Sequence, residues 1–224
     1  MNAASYVIWY VGFVLELMVV VHAFRRGTAR RLWPLCLYMA SECVASISRY
    51  SILSRYGITS PEYMYCYYYS DAILTIFLFL VLLTLFGYVF QVRTWRGIPL
   101  KAAAISYAGV AFFSYAVVHQ TQARFMTHFV VEFSQNLYFV AMLAVFAILA
   151  GVITKKMPPT AEVNLVWLLA IYFCVFWGIY VSGYLQPHYS LILQFAPPLG
   201  SLGLALGSLL IVMSDDAHLR FRRN

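Results

Sequence analysis

Apolar residues run through this 224-residue chain in seven stretches, near 4–24, 32–54, 65–91, 102–119, 126–153, 163–185 and 190–213, with short polar breaks between them. A bilayer core of about 30 Å takes roughly 20 helical residues to cross, and backbone polar groups inside it must pair within the segment. Each stretch therefore predicts a membrane-spanning α-helix. The expected fold is all-α: a polytopic membrane protein with one seven-helix transmembrane domain over residues 1–224. The longest breaks, 92–101 and 155–162, are too short for a soluble core of their own. Composition agrees, with 63% hydrophobic and 10% charged residues and a mean hydropathy of +0.78. The first stretch has no basic segment before it and no small-residue cleavage pattern after it, so it reads as a retained span rather than a signal peptide.

Positive charge sets the expected orientation. Arg25, Arg26, Arg30 and Arg31 follow the first span; Arg93, Arg96 and Lys101 the third; Lys155 and Lys156 the fifth; and Arg220, Arg222 and Arg223 lie in a short basic tail over 214–224. These are twelve of the fifteen basic residues, and all fall on one side. Positive residues stay cytoplasmic, which puts the N-terminus outside and the C-terminus in the cytoplasm. The net charge of +7 is then explained by topology and by anionic headgroups, with no nucleic acid. A partner at the basic inner face remains open. Tyr63, Tyr65, Tyr67, Tyr68 and Tyr69 crowd the outer start of the third span, as an interfacial aromatic belt or as packing.

Ionisable and polar groups inside the spans are the candidate site. At 1.5 Å per residue, Arg49, Asp71 and Glu132 share a level roughly 8 Å below the outer boundary, with Gln194 near the same tier. Glu16 and Glu42 lie deeper, near the midplane. If those two carboxylates approach each other, both cannot carry charge cheaply, and a shared proton, a bound cation or a positively charged substrate group would resolve the conflict. Helical spacing collects Tyr38, Glu42, Ser46 and Arg49 into one stripe, His128, Glu132 and Gln135 into a second with Asn136 on its edge, and Ser5, Gly12 and Glu16 into a third. Three helices are thus expected to turn one polar face to a common interior. Arg49 is expected within salt-bridge reach of Asp71 or Glu132, and no cation stands at the level of Glu16 and Glu42.

Other features change the picture less. Pro197 and Pro198 lack amide donors and are expected to open or kink the last helix. Gly203 and Gly207 form a small-residue pair that suits close helix packing or a homodimer seam. His119 and His128 would be the ligands if a haem were held between helices, but both lie at span ends; no cofactor and no metal are expected. Cys36, Cys43, Cys66 and Cys174 form no CxxC and read as reduced packing residues. No hydrolase or nucleotide-binding motif is present.

Rhodopsins share the topology, but residues 190–213 hold no lysine for retinal, and no Pro-Gln pair supports the PQ-loop class. Leu15 with Glu16, the basic turn over 25–31, Pro34 with Tyr38, and the region from Tyr67 to Asp71 resemble a set of bacterial seven-helix integral membrane proteins with no assigned activity. The resemblance covers the first three spans and implies a seven-helix fold in the cytoplasmic (inner) membrane. The expected function is binding of a small ligand or ion in an outward-facing polar cavity, for sensing or transport, by Glu16, Glu42, Arg49, Asp71, Glu132, Gln135 and Gln194. The rival is a non-catalytic structural subunit of a larger membrane complex. An intramembrane enzyme comes third, because no nucleophile or metal constellation is visible.

Overall fold

A computed structural model of the chain describes residues 3–57, 59–91, 98–119, 125–185 and 190–221, and among these the side chains of 7–57, 59–91, 101, 104–119, 128–175 and 199–214. It is all-helical, with seven α-helices: α1 (Ala3–Arg26), α2 (Trp33–Tyr56), α3 (Pro61–Val89), α4 (Ile98–Val118), α5 (Phe125–Thr154), α6 (Ala161–Leu185) and α7 (Ser190–Phe221). A 3-10 turn at Thr28–Arg30 joins α1 to α2. The apolar stretches predict these helices to within about a turn at every end but the last. There the expected tail is helical as far as Phe221. An established helix propagates cheaply through Ala217, His218, Leu219 and Arg220, because nothing after Gly207 breaks it. Pro197 and Pro198 do not open α7 either, as the helix runs through both. Proline removes an amide donor but holds φ near the helical value, so the long flanking segments carry the path.

Local chemistry explains the helix ends. Ser60 caps α3, its hydroxyl accepting from the Tyr63 amide at 3.1 Å, with Pro61 in the first turn and Glu62 facing the positive end of the helix. Thr160 does the same for α6, accepting from the Val163 amide at 3.4 Å. Gly27 ends α1 at φ 73° and Gly57 follows α2 at φ 82°, left-handed conformations that glycine adopts without a Cβ penalty.

The chain divides into two compact units, 1–40 with 149–224 and 41–148, the divisions falling inside α2 and α5. In the first, α7 packs against both α1 and α6. Gly207 makes the second contact possible: a Cβ there would stand 2.5 Å from Leu168 Cδ1 on α6. Gly203 is exposed with nothing near its missing Cβ, so of the small-residue pair only Gly207 is used in packing within the chain. Arg31, just after the 3-10 turn, donates through Nε and Nη2 to the two carboxylate oxygens of Glu162 in the first turn of α6. Glu162 is buried and Arg31 half exposed. Two buried polar atoms of this unit, His22 Nε2 and Ser208 Oγ, have no hydrogen-bond partner among the described residues.

In the second unit α3 packs against α4, and the Tyr107 hydroxyl on α4 donates to the Ile76 carbonyl of α3 at 3.0 Å. The Phe79 and Tyr107 rings meet edge to face at 5.2 Å. In the second unit large apolar side chains stand at the surface and some hydroxyls are buried. Phe112 and Ile105 are 74% and 72% exposed, while Thr75 and Ser134 are 1% and 4% exposed. Among the described residues three helices, over Val7–Arg26, Pro61–Val89 and His128–Thr154, are long and apolar enough to cross a membrane, and α4, α6 and α7 carry shorter apolar stretches.

Candidate functional site: a polar cluster on α2, α3 and α5

The second unit gathers polar side chains from three helices. Arg49 on α2 donates from Nε to the Ser70 hydroxyl at 2.8 Å, and that hydroxyl donates to the Tyr67 carbonyl at 3.0 Å. Arg49 Nη2 reaches the same carbonyl at 3.5 Å. The guanidinium carbon lies 4.6 Å from the centroid of the Tyr67 ring, so the cation rests on an aromatic face. Tyr67 also meets the rings of Tyr63, at 6.4 Å, and Tyr68, at 5.8 Å. Part of the tyrosine crowd is therefore the bed of Arg49.

One turn after Tyr67, Asp71 turns to α5. Its Oδ2 accepts from the Ser134 hydroxyl at 2.7 Å. Thr75, four residues on and on the same face of α3, donates to the Asp71 carbonyl at 2.8 Å, and its Oγ1 lies 3.2 Å from Ser134 Oγ. Deeper on the α4–α5 side, Asn136 Nδ2 donates to the Ser114 hydroxyl at 3.0 Å. The expected ion pair is thus corrected: Arg49 pairs with neither Asp71 nor Glu132 among the described residues. The cause is local. Ser70 and the Tyr67 carbonyl stand closer along the arginine's path than Asp71 does, and Ser134 occupies the carboxylate.

Glu42 lies within electrostatic reach of both Arg49 and Asp71. Arg49 is two turns along the same stripe of α2, and its side chain is held by Ser70 and Tyr67 of α3. Glu42, Arg49 and Asp71 lie within electrostatic reach of one another, with the buried Ser46 on the α2 stripe between the first two.

The other sequence candidates lie elsewhere. On α5 the inward face is Ser134, Leu137, Ala141, Val145 and Ile148, all buried; Gln135 and His128 are exposed and Glu132 is half-buried, so the stripe expected to face the interior is turned away from it. Glu16 is buried in the first unit, its Oε1 4.0 Å from where a Cβ on Gly12 would stand. Gln194 falls where side chains are not described. His119 is exposed, its ring 5.5 Å from that of Tyr115. The four cysteines are free, Cys36 and Cys43 buried, Cys174 exposed. Among the described residues no group of His, Cys, Asp or Glu is placed to hold a metal ion.

Sequence reasoning missed Ser70, Thr75 and Ser134. Thr75 had a signal, its spacing of four from Asp71. Ser134 had a weaker one, its place in the apolar phase of α5. Comparison of the chain with models of protein families, with curated proteins and with solved structures finds no match.

Proposed function

We propose that this chain is a seven-span integral membrane protein of the cytoplasmic membrane, N-terminus outside, that binds a small ligand or ion at the Glu42, Arg49 and Asp71 cluster on its outer side, for sensing or transport. The many exposed large apolar side chains, Phe112, Ile105 and Phe24 among them, support the bilayer reading. The one-sided distribution of twelve basic residues supports the orientation. The observation that carries the binding reading is the gathering of two carboxylates, one guanidinium, an aromatic face and hydroxyls within one otherwise apolar unit. Charged groups at such a depth are costly and mark ion or substrate paths.

Two measurements test it. Cysteine labels introduced at 56–64 and 186–189 should react from outside, and labels at 25–31 and 220–224 only from inside; termini reacting from one side would end the seven-span reading. Thermal shifts of the purified protein against a panel of ions and small polar solutes should show stabilisation that Glu42→Gln removes. A panel that stabilises neither wild type nor variant would favour the structural-subunit reading. That second reading has its own support in Arg31 and Glu162, an ion pair that fixes packing and leaves no open position.

A further inference from the structure

The pair of Arg31 and Glu162 clamps together two turns that are 131 residues apart in the chain, the one between α1 and α2 and the one between α5 and α6. Both turns are basic. Arg25 and Arg26 end α1, Arg30 closes the 3-10 turn, and Lys155 and Lys156 follow α5; all five are exposed. Glu162 comes six residues after Lys156, a backbone reach of at most roughly 22 Å. Among the described side chains of this unit the acidic ones are Glu16, buried in α1, and Glu162, whose two oxygens Arg31 occupies. The clamp thus consumes its own acid and stands among five positive side chains.

Each basic turn borders exposed apolar side chains. Phe24, next to Arg25, is 68% exposed; Ile153, two residues before Lys155, 58%; and Trp33, two residues after Arg31, 43%. Large apolar side chains at the surface beside basic ones fit the boundary between acyl chains and headgroups. The end of α5 adds a second observation. The Lys156 amide donates to the Ile153 carbonyl at 3.1 Å and the Met157 amide to the Val152 carbonyl at 3.2 Å, a closure that needs a left-handed residue between them. In the same unit α1 ends on Gly27 at φ 73°, without a Cβ penalty, whereas α5 ends on Lys156 at φ 49°. A lysine there carries a conformational cost and puts a charge at the tip of the turn.

We propose that this basic rim is a docking site for the headgroups of anionic phospholipids, formed because the Arg31 and Glu162 pair holds the two turns together. The inference rests on the bilayer reading above and names a partner for the inner face. Phosphate suits the rim, since Arg25, Arg26 and Arg30 offer planar N–H forks to its oxygens and Lys155 and Lys156 offer point charges. The acyl chains then lie along Phe24 and Ile153. Each basic residue adds to the attraction for an anionic leaflet, and a headgroup without net charge gains none of it. A soluble acidic segment would meet the charge but leave the apolar border uncovered.

The test is native mass spectrometry of the full chain released from detergent micelles that hold equal amounts of phosphatidylglycerol and phosphatidylcholine. Wild type should retain phosphatidylglycerol in preference. Lys156→Gly should weaken that retention about fivefold, the effect of one basic residue near a surface, at a melting temperature no lower than wild type, because glycine relieves the left-handed strain. Glu162→Gln separates a geometric site from summed charge. It adds one net positive charge but releases the clamp, so retention should fall, and a rise would overturn the proposal. Equal retention of the two lipids by wild type would overturn it too, as would unchanged retention in Lys156→Gly or displacement of the lipid by a soluble polyglutamate peptide. Micelles expose both ends of the helices, so failure here leaves the topology standing, and labels at 25–31 that react from outside would end the topology with lipid retention intact.

Discussion

The two units of the chain hold their helices together by different means. In the first, α6 and α7 meet because Gly207 lets Leu168 in, and a bidentate Arg31–Glu162 pair ties the α1–α2 connection to the start of α6. In the second, α2, α3, α4 and α5 are linked by hydroxyls, an amide, a carboxyl and a cation on a tyrosine face. The first unit is thus held by close apolar contact and a bidentate ion pair, the second by a network of polar side chains.

The sharpest way to break that division is at Arg31. Arg31→Ala leaves the buried Glu162 carboxylate unpaired and should cost about 3 kcal/mol of stability in detergent denaturation, the lower end for such a loss because Arg31 is half exposed. Glu162→Gln should cost less, since the orphan it leaves can turn to water. Equal losses would mean that the pair is a surface contact. Next in size, Gly207→Leu should cost about 2 kcal/mol by overpacking against Leu168, while Gly203→Leu should leave the melting temperature unchanged. A matching loss at Gly203 would point to a second copy seated on that face.

In the second unit the expected losses of stability are smaller. Ser134→Ala removes the donor to Asp71 and should cost about 1.5 kcal/mol. Arg49→Ala should cost about 1 kcal/mol through its hydrogen bond and ring contact, and Arg55→Ala, at an exposed position, nothing measurable. Indistinguishable melting curves for the two arginine variants would remove Arg49 from the cluster.

Much of this was legible in the sequence and some was not, for reasons that differ by residue. Asp71 and Arg49 stand out because charge is rare in such segments. The mistaken phase of α5 comes from reading polar residues as inward: Glu132 and Gln135 lie near the end of a helix, where a polar side chain can face outward, and the apolar phase from Leu137 to Ile148 was the better guide. The Arg49 salt bridge failed because depth along a helix fixes a level, and a level holds several acceptors.

Helix number and extent follow from the sequence alone, since the length of an apolar run and its capping residues are local properties of the backbone. The preference of Thr75 for the face of Asp71 is equally local. That Ser134 meets both, that Arg49 rests on Tyr67, and that Glu162 receives Arg31 were decided only by tertiary packing. Each joins helices far apart in the chain, and rotation of a mostly apolar helix about its own axis is set by what packs against it.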